Sequence, residues 1–353
     1  YEHEPESRVV INPRAGSIVI SGEVEIGTVV VSHKNIVVEA VPKTGWAVLN
    51  ADDPLVLEMR RHTGGHVILF SMKEKHELVD RWIRRGRKAI VLEHGPLGEL
   101  MVLKEGRRSS PIAYVHMLPA TFDGRARMMV QNAMAAAAAA HAAGAHLHDI
   151  RQGLRSFTTS IYQAPGRLNV FDLDGVKVLI DYAHNAAGLE TLGDFVERLT
   201  TDAPNGGRPG QASWSANLRV AVVATAGDRR DEDMRQLGRI AARYFDDVII
   251  REDRNTRGRK RGATAALILE GVREAIASGA RAGNAEIVVD EMDAARKALD
   301  RSRPGDLVVL CVDHATEVYK ELERRRSLAA PSIFTEGNGQ AEQQGGDPDM
   351  LGV

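Results

Sequence analysis

Cysteine is nearly absent: the chain of 353 residues holds one, Cys311, which excludes a disulfide within a single chain. Aromatic residues amount to only 5%. Long apolar runs are missing too, none approaching the eighteen or so residues of a membrane span, and no charged-then-apolar leader opens the sequence. The expectation is a cytoplasmic protein with no membrane partner. Excess charge of one sign is also lacking, since 46 Lys and Arg against 48 Asp and Glu leave a net charge of −2. That balance gives no footprint for nucleic acid, although Arg257 to Arg261 is locally basic. Cys311 lies inside the apolar run Leu307 to Val312, which suits a buried strand residue better than a nucleophile.

What is present is an alternation of short apolar runs and helical stretches long enough for two domains, each with its own core. Trp46 to Leu49, His66 to Phe70, Lys88 to Leu92 and Glu99 to Leu103 read as strands, with a helix around Glu77 to Arg85. From Gly124 to Ala143 the sequence turns to alanine, the strongest helix former, which predicts a buried helix packed closely on a sheet. A short helix, His148 to Ser156, follows Gly144. His141, His146 and His148 are spaced too irregularly along a helix end to converge on a metal, and no acid cluster accompanies them. They read as surface residues.

The stretch Ala164 to Gly188 reads as a turn, a hairpin, a buried strand and a helix start. Asp181, His184 and Asn185 fall just past the strand's carboxyl end, where open α/β sheets bind ligands. Plain helix capping is the competing reading for these residues. Beyond it, Leu189 to Leu199 reads as an amphipathic helix and Thr200 to Asn217 as a mobile Gly-, Pro- and Ser-rich loop. Strands at Leu218 to Ala224, Asp247 to Arg251, Ala285 to Asp290 and Asp306 to Val312 then alternate with helices Asp231 to Tyr244, Ala263 to Ser278 and Met292 to Arg301. This is a Rossmann-like αβ layer. The turn Thr225 to Arg230, between a strand and a helix, is an anion-site geometry. Residues 331 to 353 have little that could pack and read as a disordered tail.

Pro165-Gly166-Arg167, followed after a short hairpin by Asp181-Tyr182-Ala183-His184-Asn185, resembles the opening of the C-terminal domain of the Mur ligase family, ATP-dependent amide-forming enzymes. The usual proline after the second motif is Ala186 here. Leu49-Asn50-Ala51-Asp52-Asp53-Pro54 is similar to a motif of the family's central domain, and Gly227-Asp228-Arg229-Arg230-Asp231-Glu232-Asp233 resembles a block of its cyanophycin synthetase branch. The resemblance covers roughly residues 33 to 325. It implies an α/β fold with a Mur-ligase-like central ATPase-type domain over residues 1 to 163, incomplete at its N-terminal part. A Rossmann-like C-terminal domain over 164 to 328 and a tail over 329 to 353 complete the expectation.

The same resemblance implies an acid–amino-acid ligase working through an acyl phosphate, with ATP and Mg2+ as cofactors. It would add arginine to an aspartate β-carboxylate of a cyanophycin-type polymer, and it could form a homo-oligomer. Another Mur ligase, of the folylpolyglutamate or peptidoglycan-precursor type, and an inactive Mur-like scaffold are the alternatives. Arg167 is expected on phosphate, Asp181 on the ribose hydroxyls, His184 and Asn185 on the nucleotide or reacting groups, and Asn132 on adenine, with Met129 where a partner asparagine usually stands. Lys34 matches a lysine whose carbamate helps to bind magnesium in several of these enzymes. The glycine-rich Gly-Lys-Thr loop expected before Lys34 is missing from the sequence, a chemical gap because such a loop holds the nucleotide's phosphates. Omission of that loop is the preferred explanation. Substrate contacts fall on Asp228, Arg229, Arg230, Glu252, Asp253, Arg254 and Arg257. In the loop Glu252 to Arg259, the acids Glu252 and Asp253 would pair with an arginine guanidinium. Arg254 and Asn255 stand where further acids are usual.

Overall fold

The structure is a computed structural model that describes the backbone of residues 9–12 and 17–20, together with residues 38–201, 214 and 216–329. Two sheets organise it. In the first, β1 (Val9–Asn12), β2 (Ser17–Ile20), β3 (Trp46–Asn50), β4 (His66–Ser71), β5 (Lys88–Gly95), β6 (Gly98–Glu105) and β7 (Arg108–Tyr114) lie in sequence order. Strands β3, β4 and β5 are parallel, and β5, β6 and β7 form an antiparallel meander. Parallel strands need crossover helices; here these are α1 (Pro54–Glu58) and α2 (Glu77–Arg84), whose Val56, Leu57, Val79 and Ile83 cover one face. The other face is covered by α3 (Arg127–Ala142), followed by α4 (Leu147–Ser156). Ala135, Ala137 and Ala138 are buried there, and their small side chains let the helix lie close to the strands.

The second sheet has the order β12-β11-β10-β13-β9-β8. Its members are β8 (Asn169–Leu173), β9 (Val176–Asp181), β10 (Arg219–Val223), β11 (Asp247–Ile250), β12 (Asn284–Ile287) and β13 (Leu307–Cys311). All pair in parallel except β8, which returns antiparallel to β9 as a hairpin. Helices α5 (Ala186–Thr200), α6 (Asp231–Tyr244) and α7 (Ala263–Ala277) pack on one face, while α8 (Glu291–Arg301) and α9 (Ala315–Ala329) pack on the other. Strand β13, followed by α9, lies between β9 and β10, whose helices are on the opposite face. That arrangement creates a topological switch point and opens a crevice past the strands' carboxyl ends. The two halves meet where Ala126, Met128 and Met129, at the start of α3, pack on the second core. Phe122 meets Phe195 of α5 edge to face at 5.2 Å.

Most predicted elements occur within a residue or two of the expected bounds. Strand β7 and helix α9 were not anticipated. Lys34, nearly all of the loop Thr200 to Asn217 and the tail from 330 onward lie outside the described residues.

Candidate functional site

One row of residues marks the carboxyl edge of the second sheet. Asp181 of β9 is in register with Cys311 of β13, while the Arg251 amide donates to the Val223 carbonyl at 3.0 Å. The segments just past this row border the crevice: 181–185, 224–230, 251–262 and 312–314.

On the β9 side, the turn Pro165-Gly166-Arg167 is fastened from below. Gly166 adopts φ +72 and Leu168 φ +48, left-handed conformations that cost a non-glycine residue energy and need fixing from outside. The fixing is done by fully buried Asn169. Its side-chain oxygen accepts from the Gly166 amide at 2.7 Å and its Nδ2 donates to the carbonyls of Thr159 and Ala164 at 2.7 and 2.8 Å. Asp181 completes the turn by accepting from the Leu168 amide at 3.0 Å and the Ala183 amide at 2.9 Å. Burial pushes its carboxyl above the usual range, and these amides and the Arg167 guanidinium draw it back. The Arg167 side chain is exposed, its guanidinium 5.2 Å from the Tyr182 ring centroid. His184 holds the Tyr182 carbonyl through Nδ1 at 2.9 Å. Asn185 is the N-cap of α5, accepting from the Gly188 amide at 2.7 Å. Asn132 is exposed on α3, its amide 3.7 Å from the Met129 sulfur.

On the far side lies a buried ion network that sequence reasoning missed. Arg251 is 2% exposed, and its Nη1 lies 3.2 Å from Asp253, 2.9 Å from Asp313 and 3.0 Å from Glu291. Its Nε donates to the Cys311 carbonyl at 3.1 Å. Glu291, the first residue of α8, accepts from the amides of Asp313 at 2.8 Å and His314 at 3.0 Å, and pairs with His314 Nδ1 at 3.0 Å. Three carboxylates converge on one guanidinium. Burial and a hydrogen bond to Asp313 raise Asp253 to about 7, while burial is outweighed at Asp313 by that same bond and by Arg251, which hold its carboxyl below the usual range. The signal for Asp313 was in the sequence: Val312-Asp313-His314 follows an apolar run as Asp181 does.

The predicted substrate residues are distributed unevenly around this network. Glu252 is buried, and its two oxygens accept from the amides of Gly262 at 2.7 Å and Ala265 at 3.0 Å, at the start of α7. Both oxygens are thus turned to the protein's own backbone. Asp253 faces the crevice with Asp313. Arg254 is exposed and 3.8 Å from Glu317, and Arg257 pairs with Asp228 at 3.2 Å. Arg230 grips Asp233 with two bonds of 2.8 and 2.6 Å, while Arg229 is largely buried in the same turn. The loop 251–262 is clamped to its neighbours. Arg259 donates to the carbonyls of Gly227 and Arg229 at 2.5 and 2.9 Å, and Arg261 to the Asp253 carbonyl at 2.5 Å. Gly227 is needed for this approach, since a Cβ there would lie 2.2 Å from the Thr256 carbonyl oxygen. Among the described residues no three His, Cys, Asp or Glu converge into a metal-binding group, and no helix is long and apolar enough to cross a membrane. Lys34 lies outside the described residues.

Residues 166–312 match the family described as Mur ligase, glutamate ligase domain, and residues 1–58 match the flagellar P-ring protein family. A cyanophycin synthetase of Crocosphaera subtropica is 39% identical over 295 residues, 84% of this chain and 31% of that protein. Another, of a Synechocystis species, is 36% identical over 320 residues, 91% of this chain and 34% of that protein. The chain therefore spans about a third of the length of the curated relatives it matches. A folylpolyglutamate synthase/dihydrofolate synthase of Yersinia pestis, solved with AMPPNP and Mn ion, shares the fold with a TM-score of 0.54 at 18% identity, over 88% of this chain and 60% of that one. Residues 166–312 thus belong to the Mur ligase family as its glutamate ligase domain, and the chain around them is similar to cyanophycin synthetases in sequence and to Mur-type ligases in fold.

Proposed function

We propose that this chain works as part of an ATP-dependent acid–amino-acid ligase that adds arginine to an aspartate β-carboxylate of a cyanophycin-type polymer. The observation that carries the reading is the division of one crevice into a side suited to phosphate and a side suited to a cation, in a chain similar to cyanophycin synthetases. ATP, when bound, supplies the phosphoryl group that activates the carboxylate, so that an incoming amine can displace phosphate from it. Arg167, exposed on a rigid turn and backed by Tyr182, offers bidentate donors to a phosphoryl oxygen at low ordering cost. Asp181 uses one lone pair of each oxygen on a backbone amide, which leaves the others for ribose hydroxyls. His184 and Asn185 shape the floor between them, and Asn132 faces the base.

Asp253 and Asp313 are the acceptors for the guanidinium of the incoming arginine, and Arg254 is suited to its α-carboxylate. Glu252 acts as the cap that sets the loop's course. The turn 228–230 and Arg257 face the polymer's carboxylates. Magnesium, carried with the nucleotide in this reading, and a cytoplasmic location accord with the ligase family.

A second reading is a Mur-like scaffold without turnover, favoured by the match of residues 1–58 to a different family in the stretch where a phosphate-gripping loop is expected. Phosphate release by the full chain with ATP, a β-Asp-Arg polymer and an amino-acid panel separates the readings. Release with arginine alone is expected, and Arg167→Ala should lower kcat about 10- to 100-fold with little change in KM. Turnover with a folate or nucleotide-sugar acceptor would point to another Mur ligase. No ATP binding and no release with any acceptor would leave the scaffold.

A further inference from the structure

At the opposite end of the first sheet from the carboxyl ends of β3, β4 and β5 lies a cleft of about 420 Å³, lined by Lys88, Glu105, Arg108, Ser110, His141 and His146 among others. Three strands and two helices build it. Lys88 opens β5, is paired in register with Glu105 at the end of β6, and Glu105 is in turn paired with Arg108 at the start of β7. His141 sits in the last turn of α3, and His146 is the N-cap of α4 without a capping side-chain bond. We infer that this cleft is a binding site for a small phosphate- or carboxylate-bearing anion, held between Lys88 and Arg108.

The cations are not accounted for by the fold. Although Glu105 is opposite Lys88 in the ladder, the Lys88 ammonium turns away from it, to His141 Nε2 at 3.1 Å and the Trp46 ring at 5.2 Å. Among the described residues neither Lys88 nor Arg108 has a carboxylate within ion-pair distance, whereas about half of the described arginines do, as Arg235, Arg239, Arg251 and Arg281 show. A lysine that only covered the sheet edge would gain by pairing with its ladder neighbour. Lys88 is instead held in place by an imidazole lone pair and an aromatic face, which position the ammonium without neutralising it. Trp46 is itself stacked on His66 at 4.7 Å, so that face is fixed. The volume falls in the range of roughly 300 to 1,000 Å³ typical of small-molecule sites.

The histidine between them adds a proton linkage. Burial, aided by Lys88 and Arg108 against Glu105, holds the His141 ring below its usual range, so its Nε2 accepts from Lys88 at neutral pH. The charged and titratable groups facing it are Lys88 on β5, Glu105 on β6, Arg108 on β7 and His146 on α4. An anion bound between Lys88 and Arg108 offsets their positive field at His141, so the midpoint at which that ring takes up a proton moves upward when the ligand is bound.

This inference is independent of the ligase reading, since no group of the second sheet takes part in it. Its test is calorimetric titration of the full chain with inorganic phosphate and pyrophosphate, against succinate as the carboxylate probe. Saturable binding is expected, weakened at least tenfold in Arg108→Gln and in Lys88→Met, and strengthened in Glu105→Gln. Arg108→Gln changes an exposed residue, so its melting temperature should stay at the parent value and keep the test readable if Lys88→Met unfolds. Binding of succinate alone, lost in the same variants, assigns the site to carboxylates. The His141 proton resonance, followed by NMR through a pH titration, should shift its midpoint upward when the bound probe is present. Failure of all three probes to bind, or binding that survives both substitutions, overturns the proposal.

Discussion

The carboxyl edges of the two sheets hold similar residue types and use them differently. Past β3 and β4 the polar groups are short and point inward. Asp52 accepts from Ser71 Oγ at 2.6 Å and the Met72 amide at 2.7 Å, buried Asn50 accepts from the Asp52 amide at 3.0 Å, and Asp53 caps α1 through the amides of Leu55 and Val56. Each of those acids has neutral partners. Past β11, β12 and β13 the acids Asp253, Glu291 and Asp313 gather on a buried arginine in a ratio of three to one. The same position in an α/β sheet is thus a fastening in one half and a reservoir of unbalanced charge in the other. Location past a strand end is therefore a weak guide to chemistry. What distinguishes a site is charge that the fold assembles without cancelling it.

The largest expected effect comes from removing the arginine. Arg251→Met keeps most of the volume but leaves Asp253, Asp313 and Glu291 facing one another, so urea unfolding should show a loss of about 3 to 5 kcal/mol. A loss below about 1 kcal/mol would mean that water or rearrangement already balances the acids and that the two edges are alike. Next comes a pH dependence. An unfolded aspartate titrates near 3.9, whereas Asp253 is raised to about 7 by burial and by Asp313. Between those values the native state keeps a proton that the unfolded chain has lost, so this contribution is complete below about pH 4 and fades as the pH rises through about 7. Melting of Asp253→Asn should accordingly match the parent near pH 5 and equal or exceed it near pH 8. A variant that loses stability more at pH 8 than at pH 5 would reverse the assignment. The smallest effect is expected at the first edge. Asp53→Ala deletes a cap and should cost about 1 kcal/mol, read by urea unfolding. A cost equal to that of Arg251→Met would erase the contrast.

Legibility in the sequence followed the source of each element's stability. Strands such as Val176–Asp181 and Leu307–Cys311 are β-branched and apolar because they are buried on both faces, and the text alone reveals them. Strand β7, Arg-Ser-Ser-Pro-Ile-Ala-Tyr, is polar, contains Pro111 and sits at a sheet edge, so nothing in its pattern marks it. Helix α9 escaped for a related reason. It buries Val318 and Leu322 but is otherwise crowded with Glu, Lys and Arg, so its apolar stripe is narrow. At the crevice, Asp181 and Asp253 could be picked out by position. The role of Glu252 could not, because its partners lie ten and thirteen residues onward, on a helix start that only the fold brings back. Arg251 was taken as the last residue of a strand, which describes its backbone and says nothing of the three acids drawn to it from elsewhere.

The clamped loop between β11 and α7 has a consequence for how such a protein could change its diet. Glu252 pins its beginning, while Arg259 and Arg261 pin its later half to neighbouring carbonyls. The tip, Arg254 to Arg257, is mostly exposed, and its side chains hold the protein only through surface ion pairs with Glu317 and Asp228. In the proposed reading, recognition and folding thereby fall to different residues of one short segment. Substitutions at the tip can be sampled at almost no risk to the native state, whereas the clamps on either side tolerate little. If the loop takes the amino acid as proposed, a lineage, or an experimenter, could exchange that substrate by rewriting the tip on an unchanged frame.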